Sequence, residues 1–336
     1  MKPMDKSAEN DMTNYTVETD GYMNEKPVRR SGLTMPVNNL RFVGKAWTRG
    51  CDFIILDLED SVPPSKKSYA RTLVRDAIQA VSRGGAEVFV RINHDTVGED
   101  LESAVWPGLK RINYPKTESA EEIRQVDTIL TELERARGLP VGSIEIGANV
   151  ETARGVVNAL EIACSSHRIK EFGGGGGYDM SRDLGIEMFV NYDQVVYGKG
   201  ELELAARVMD LELHAAPFIA DLTGSVSDGE YAFRLAEATR KSGFLIGGGL
   251  HPNVVDPQNR GFTPSPTEVE DAQYVIARYT DVEKQERVSI QVDGRIIDKY
   301  EDRRARALVD WARLCARRDR EKSESVATST EDSCID

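Results

Sequence analysis

The feature that most constrains this chain is a regular alternation of two kinds of segment. Short aliphatic and β-branched runs are followed by longer amphipathic stretches rich in Ala, Glu, Arg and Leu. This alternation is typical of strand–helix units. Eight runs are predicted as strands, at residues 31–35, 53–58, 87–92, 111–114, 143–150, 169–173, 214–219 and 244–250.

Helices are predicted between and after these strands, at residues 39–49, 66–82, 119–137, 152–165, 199–210, 228–241 and 266–279. Eight strand–helix units over about 250 residues favour a closed parallel barrel over an open doubly wound sheet. The open sheet would carry a GxGxxG fingerprint after its first strand, where this sequence reads MPVNNL. We therefore predict an α/β fold, a TIM (β/α)8 barrel with a C-terminal hairpin-helix lid extension.

The two ends of the chain differ from this body because they are polar and carry few aliphatic residues. After the barrel, the sequence predicts a hairpin at 288–298 and a basic helix at 300–320. The predicted organisation is a disordered N-terminal tail at 1–28, a barrel at 29–282, a lid or oligomerisation extension at 283–321 and a disordered tail at 322–336.

Composition excludes several classes of function. The 336 residues include 56 acidic and 43 basic side chains, and a net charge of −13 disfavours binding to a nucleic-acid backbone. The four cysteines form no CxxC pair, which argues against a disulfide framework and a zinc knuckle. No apolar stretch approaches the roughly 18 residues of a membrane span, and the N-terminus is not signal-like. We predict a cytoplasmic protein without membrane partners.

Polar residues stand where the predicted strands end. In a parallel barrel the reactive groups lie at these carboxyl ends. One end of the barrel is therefore predicted to collect carboxylates together with an arginine, a lysine and an asparagine: Asp57, Glu59, Asp60, Arg91, Asn93, Lys116, Glu151 and Asp179.

Glu151 and Asp179 follow neighbouring predicted strands. A pair of hard oxygen donors with open positions suits Mg²⁺ or Mn²⁺, which keep several waters and accept substrate oxygens. The alternative is that Glu151 caps the next helix and Asp179 begins a turn. The uniform polarity of the strand ends favours the metal. The five glycines at 173–177 are interpreted as a flexible wall beside it.

Arg91 and Lys116 are the cations of this group. Arg91 could clamp a carboxylate or a developing enolate oxygen, or form a buried salt bridge with Asp57 or Glu59, and both can hold at once. Lys116 could form a Schiff base, although an electrostatic or structural role is favoured beside a metal pair.

Several segments together carry a family resemblance. They are PVNNLRFVGKA (36–46), ILDLEDSVPPSKK (55–67), VRIN (90–93), PKTESAEEI (115–123), VETARGVVNALEIA (150–163), YDMSRDLG (178–185), LHPNVV (250–255), FTPS (262–265) and DGRIID (293–298). From about Arg30 to Leu314 the chain resembles the citrate lyase β-subunit and malyl-CoA lyase group of the HpcH/HpaI aldolase superfamily.

This resemblance implies a Mg²⁺-dependent carbon–carbon lyase acting between an acyl-CoA carbon and a small α-keto acid. It implies that Glu151 and Asp179 hold the metal and that Arg91 stabilises an enolate or oxyanion. Glu59 and Asp60 would orient metal-bound waters. A metal of this kind would polarise the keto acid.

The resemblance also implies a shared active site. Asp298 matches the aspartate that, in malyl-CoA lyases, reaches the neighbouring subunit's site and moves a proton. The expected assembly is a homotrimer or homohexamer. Arg30 and Lys45 are the expected CoA-binding residues.

The chain departs from the family pattern at several positions. Tyr178 precedes Asp179 behind glycines, Gly247 replaces a lysine, and Val37 and Asn39 stand in the opening loop. Three alternatives therefore stay open: thioester hydrolysis in the same site, a CoA-independent metal-dependent aldolase on pyruvate-type substrates, and a non-catalytic barrel scaffold.

Overall fold

The computed structural model describes residues 26–174, 178–187, 193–214, 225, 227–292 and 294–332. Residues 1–25 of the predicted N-terminal tail lie outside this description. The chain divides into two compact units. The larger unit comprises residues 28–264 and 315–336, and the smaller one contains residues 265–314.

The larger unit is built on a seven-stranded sheet in which every neighbouring pair is parallel and the strands follow chain order. The strands are β1 (Gly32–Pro36), β2 (Phe53–Asp57), β3 (Glu87–Arg91), β4 (Leu109–Tyr114), β5 (Glu145–Val150), β6 (Ile169–Gly174) and β7 (Glu212–His214). All residues of β2 are buried, as expected where helices cover a parallel sheet.

Helices alternate with these strands. They are α1 (Leu40–Ala46), α2 (Lys67–Ser82), α3 (Val97–Ala104), α4 (Ala120–Ala136), α5 (Ala153–Val157), α6 (Ala159–Ala163), α7 (Tyr178–Asp183), α8 (Asp193–Val208), α9 (Gly229–Lys241) and α10 (Val255–Phe262). Helix α4 begins at a capping box: the Ser119 side chain accepts from the Glu122 N–H, and the Glu122 carboxylate accepts from the Ser119 N–H. The predicted helix at 152–165 is two short helices that meet at Asn158.

A contact across the sheet shows that it is curled. Neighbouring strands lie about 4.8 Å apart, so β1 and β7 of a flat sheet would be about 29 Å apart. Instead Arg29, which precedes β1, donates from Nη1 to Glu212 Oε2 on β7 over 2.8 Å. The predicted α/β class is therefore confirmed, and the parallel sheet is curled.

An eighth segment lies beside β1. The Thr34 N–H donates to the Gly249 carbonyl over 3.0 Å, and the Gly249 N–H donates to the Gly32 carbonyl over 2.9 Å. Among the described residues, 244–250 form an isolated bridge to β1 rather than the predicted regular strand. Residues 215–219 of the predicted seventh strand lie outside the description. Complete closure of the barrel therefore stays a prediction.

A layer of paired charges fills the interior at the amino end of the sheet. Arg111 is fully buried and donates from Nη2 to Glu145 over 2.7 Å and to Glu212 over 2.8 Å, and it also binds Glu171. Arg29 adds a 2.6 Å bond to Glu87. A cluster of Phe53, Ile55, Phe89 and Ile246 is buried with these strands. The amino end is thus filled by structural contacts, which leaves the carboxyl end for a ligand.

The smaller unit contains α11 (Pro266–Lys284), the antiparallel pair β8 (Ser289–Val292) and β9 (Arg295–Asp298), and the first part of α12 (Lys299–Asp332). The predicted hairpin at 288–298 is therefore confirmed. Its own apolar core consists of Ala272, Val275, Tyr279, Ile297 and Ala305.

Helix α12 continues to Asp332, which differs from the predicted disordered tail at 322–336. The reason is an ion pair that composition does not reveal. Lys322 is only 5% exposed, and its Nζ donates to Asp52 Oδ1 over 2.6 Å and to the Gly50 carbonyl over 2.8 Å. Despite the length of α12, no helix in the described part of the chain is long and apolar enough to cross a membrane.

We predict that Lys322→Met lowers the free energy of unfolding by about 2 kcal/mol, because the fully buried Asp52 carboxylate loses a charged partner. Urea denaturation measures the change. Arg317→Met is the matched control, since Arg317 lies on the same helix with a side chain that is 58% exposed. Equal effects of the two substitutions would contradict the structural role of Lys322.

Candidate active site

A cavity of about 650 Å³ opens at the carboxyl ends of β1 to β3. Three exposed basic residues spaced four apart, Arg41, Lys45 and Arg49, line it from α1 and the turn that follows. Asp57, Asp60, Ser61 and Arg91 also line it. The cavity thus brings predicted site residues next to a basic wall.

Arg91 is fixed by Asp57 at this end of the sheet. Its Nε and Nη2 donate to the two oxygens of Asp57, each over 2.8 Å, and its Nη1 lies 3.0 Å from Glu59 Oε2. Asp57 is fully buried, and although burial alone would raise its pKa, the Arg91 guanidinium holds that pKa below the usual value. The salt bridges considered from the sequence are therefore present, and they orient Arg91 toward the cavity it lines.

Glu59 lies between two cations. Only 6% of the residue is exposed, and its Oε1 is 2.5 Å from Lys116 Nζ while its Oε2 faces Arg91. Burial raises the pKa of Glu59 despite these two positive charges. The neighbouring Asp60 has a side chain that is 61% exposed, at 3.9 Å from Lys116 Nζ. The two acidic residues therefore differ: one is held, and the other faces solvent.

Glu151 follows β5 and carries a strongly perturbed carboxyl group. Burial, together with the negative charges of Glu59 and Asp179, raises the pKa of Glu151 to about 7. Its Oε2 accepts from the Lys116 N–H over 3.2 Å. The structure thus brings Asp179 and Glu59 near Glu151. The Glu151 carboxylate accepts one backbone hydrogen bond, whereas both oxygens of Asp57 are bound by the Arg91 guanidinium.

Other residues cap the helix that follows Glu151, so the capping alternative for Glu151 is wrong. Thr152 is the N-cap of α5 and accepts from the Gly155 N–H over 3.1 Å, and Asp183 accepts from the Ala153 N–H over 2.7 Å. Gly174 allows β6 to approach Glu151, because a Cβ there would lie 2.7 Å from the Val150 carbonyl oxygen. Asp179 lies in the first turn of α7.

Three residues hold the loop that carries Glu59, and two of them, Lys67 and Asp100, are not among the predicted site residues. Lys67 Nζ donates to the Leu58 and Glu59 carbonyls and to Asn93 Oδ1, each over 2.6 Å. Asn93 Nδ2 in turn donates to the fully buried Asp100 over 2.7 Å. Asn93 is one of the predicted strand-end residues, and Lys67 ends the motif at 55–67, which is the signal that could have identified it.

The donor set fits a hard divalent cation. Carboxylate oxygens are the ligands that Mg²⁺ and Mn²⁺ prefer, and Mg²⁺ commonly takes only one or two carboxylates and keeps waters. Among the described residues, no three His, Cys, Asp or Glu side chains form a complete metal-binding group. Mg²⁺ needs no such group of three. The two carboxylates of Glu151 and Asp179 are consistent with the one or two carboxylates that this ion commonly takes.

The predicted CoA-binding pair is divided by the structure. Lys45 lines the cavity. Arg30 precedes β1 at the amino end of the sheet, where it is fully buried and bound to Asp52 over 2.9 Å and to Asp319 over 2.5 Å. The structure contradicts the prediction that Arg30 binds CoA, since its buried guanidinium is paired at the opposite end of the sheet from the cavity. Asp298, in the smaller unit, accepts from the Tyr300 and Glu301 N–H groups and caps α12.

Comparison with known proteins places the chain among related sequences. Residues 30–229 match the family model of HpcH/HpaI aldolase/citrate lyase. The chain is 30% identical over 280 residues to citrate lyase subunit beta of Leuconostoc mesenteroides subsp. cremoris, which covers 82% of this chain and 91% of that protein. It is 29% identical over 285 residues to L-malyl-CoA/beta-methylmalyl-CoA lyase of Cereibacter sphaeroides, with coverages of 78% and 88%.

A solved structure shares the fold. Protein CitE from Mycobacterium tuberculosis, in complex with magnesium, acetoacetate and coenzyme A, superposes with a TM-score of 0.65 at 23% identity. The alignment covers 85% of this chain and 98% of that one. The curled parallel sheet is therefore the arrangement of a known fold.

The raised pKa of Glu151 predicts a gain of stability when its charge is removed. An unfolded glutamate titrates near pH 4.3, and Glu151 titrates near 7, so its ionisation lowers the stability of the metal-free protein as pH rises between these values. We expect Glu151→Gln to raise the free energy of unfolding by about 3–4 kcal/mol at pH 8 and by about 1 kcal/mol at pH 5.

Glu145→Gln is the control of opposite sign. Although burial alone would raise its pKa, the charges of Arg111 and Arg29 lower the pKa of Glu145 to about 2, so its ionised form stabilises the fold above pH 4.3. This substitution should destabilise the protein at both pH values. Urea denaturation without metal makes the measurement, and a loss of stability for Glu151→Gln at pH 8 would refute the prediction.

Proposed function

Because the chain belongs to the HpcH/HpaI aldolase/citrate lyase family, we propose that it is a Mg²⁺-dependent carbon–carbon lyase. The bond it forms or breaks would join an acetyl-CoA-like acyl carbon to the carbonyl carbon of a small α-keto acid. The observation that carries this proposal is the convergence of Glu59, Glu151 and Asp179 beside a cavity with a basic wall. Two relatives, citrate lyase subunit beta and L-malyl-CoA/beta-methylmalyl-CoA lyase, carry the names of lyases, which supports the same reaction class.

Glu151 and Asp179 would hold Mg²⁺ or Mn²⁺. Ionised Glu151 is electrostatically unfavourable in the metal-free protein, and a divalent cation would remove that penalty. When bound, the ion would polarise the keto-acid carbonyl. The CitE structure that shares the fold contains magnesium, which supports this choice of ion.

Arg91 would stabilise the negative charge that develops on the enolate or adduct oxygen. A guanidinium has five N–H donors, and the contacts with Asp57 and Glu59 account for one donor on each nitrogen. Considering contacts with the described residues, a second hydrogen on each terminal nitrogen remains for a ligand in the cavity. Since Asp57 already fixes the guanidinium, no reorganisation is needed when charge develops.

Glu59 and Asp60 would orient water at the ion. Glu59 is held by Lys116 and Arg91, so its carboxylate has a defined position. Asp60 lines the cavity with an exposed side chain. One ordered and one solvent-facing carboxylate could order neighbouring water molecules.

An acyl-CoA is the proposed acyl donor. Lys45, with Arg41 and Arg49 from the same wall, supplies positive charge for phosphate groups. The exposed side chains of Phe42 and Leu250 offer apolar surface in the same cavity. Arg30 has no part in this proposal.

We further propose a closed (β/α)8 barrel and a homotrimer or homohexamer in which Asp298 of one subunit serves the site of another. Asp298 ends β9 directly before α12, where two backbone N–H groups hold its carboxylate. In this assembly Asp298 would move the proton of the acyl carbon.

Removal of either proposed metal ligand should abolish activity. We expect Glu151→Gln and Asp179→Asn each to lower kcat at least about a hundredfold while the circular dichroism spectrum is kept. The assay is condensation of acetyl-CoA with glyoxylate, pyruvate or oxaloacetate at several Mg²⁺ concentrations. Glu187→Gln, at an exposed position, is the control and should behave as wild type.

Wild-type turnover in both ligand variants would refute the metal assignment. Equal turnover of the keto acid with and without acetyl-CoA would favour the CoA-independent aldolase. A folded protein with no turnover and no Mg²⁺-dependent thermal shift would favour the scaffold.

A mixing experiment tests the shared site. Asp298→Asn keeps a good helix cap but cannot transfer the proton, so the loss of activity is separated from a loss of stability. When it is co-expressed in equal amounts with Glu151→Gln, about one shared site in four should receive an intact Glu151 from one subunit and an intact Asp298 from another. The mixed oligomers should therefore recover roughly a quarter of the wild-type activity if subunits combine at random. If the mixed oligomers recover no activity, the active site is not shared between subunits.

A further inference from the structure

Lys116 has an unusual backbone conformation at the carboxyl end of β4. Its φ of 51° is in the left-handed region, which among the described non-glycine residues only Asp210 and Glu286 also adopt. This conformation is unfavourable for a residue with a side chain and persists only where the surroundings enforce it. Thr117 supplies that constraint, since it is fully buried and donates from its N–H to the Asn149 carbonyl over 2.8 Å.

The left-handed turn gives the Lys116 N–H a functional partner. The N–H of the next residue, Thr117, donates to the Asn149 carbonyl on β5, as in a sheet. The N–H of Lys116 instead donates to Glu151 Oε2 over 3.2 Å. A strand residue would direct this N–H along the sheet ladder. The strained backbone therefore holds the carboxylate proposed to bind the metal.

The side chain of Lys116 holds a second carboxylate. Its Nζ lies 2.5 Å from Glu59 Oε1 and 3.9 Å from Asp60 Oδ1, and its charge also interacts with Asp179. An amine held this closely by a carboxylate is an ammonium, which cannot attack a carbonyl as a Schiff-base lysine does. Lys116 thus brings a positive charge into the group of carboxylates that would surround a metal.

Resting on the proposed function, we propose that Lys116 is a positioning residue with two separable actions. Its backbone N–H orients Glu151 for the metal, and its ammonium fixes Glu59 while opposing the charge of the ion. The ammonium therefore weakens metal binding and supports turnover. A residue with a purely structural role would support both together.

Three substitutions separate these actions in the full-length protein. Lys116→Met removes the charge, Lys116→Gly removes the side chain but accepts the left-handed backbone, and Lys116→Val disfavours that backbone. Lys116→Arg restores the charge. Glu286→Gly is the matched control, because it changes another left-handed residue at an exposed position in the smaller unit.

Isothermal titration with MgCl₂ at low ionic strength provides a readout independent of activity. We expect Lys116→Met and Lys116→Gly to bind Mg²⁺ about threefold to tenfold more tightly than wild type, with the difference reduced in 0.5 M NaCl. Lys116→Val also lacks the ammonium, so it is compared with Lys116→Gly, and it should bind Mg²⁺ at least about threefold more weakly than that variant. Lys116→Arg and Glu286→Gly should match wild type. In the condensation assay, Lys116→Met should lower kcat about tenfold or more despite its tighter binding.

The outcomes distinguish this inference from the proposed function. If the wild-type protein binds Mg²⁺ and Lys116→Met binds it with the same or lower affinity, the inference is overturned and the metal assignment stands. No Mg²⁺ binding to the folded wild type would overturn both. Equal Mg²⁺ affinity in the glycine and valine variants would show that the backbone conformation has no role.

Discussion

Repulsion among carboxylates at one end of a curled parallel sheet is the constraint on which the site depends. Parallel strands place Asp57, Glu59 and Glu151 at the same edge, and each is compensated to a different degree. Asp57 has both oxygens bound by Arg91, Glu59 is shared by Arg91 and Lys116, and Glu151 receives one backbone N–H. The remaining negative charge raises the pKa of Glu151 to about 7 after burial has already disfavoured its ionised form. A divalent cation, as proposed above, would compensate this remaining charge.

The two glutamates that flank strand β5 have opposite electrostatic environments. Glu145 begins β5, where the charges of Arg111 and Arg29 outweigh burial and lower its pKa to about 2. Glu151 follows the end of the same strand, with a pKa near 7. The first glutamate is paired as a structural residue would be, and the second is held in an unfavourable state. Functional sites often keep such unfavourable groups, at the expense of stability.

Much of the fold could be predicted because strand and helix patterns are local. The strands from Phe53 and Glu87 begin at the predicted residues, and their polar ends identified Asp57 and Arg91. Long-range pairs were not accessible in this way. Arg30 was assigned to a ligand because a motif does not tell which end of a strand a flanking side chain reaches. Lys322 was assigned to a tail because its partner, Asp52, is 270 residues away in the chain.

The most direct test is anomalous diffraction from a crystal soaked with Mn²⁺ and a small α-keto acid. The account predicts one strong anomalous peak within about 2.2 Å of oxygens from both Glu151 and Asp179, with the keto acid beside it and Arg91 within hydrogen-bond distance of the acid. A peak elsewhere, or an ordered keto acid with no metal between these two carboxylates, would contradict it.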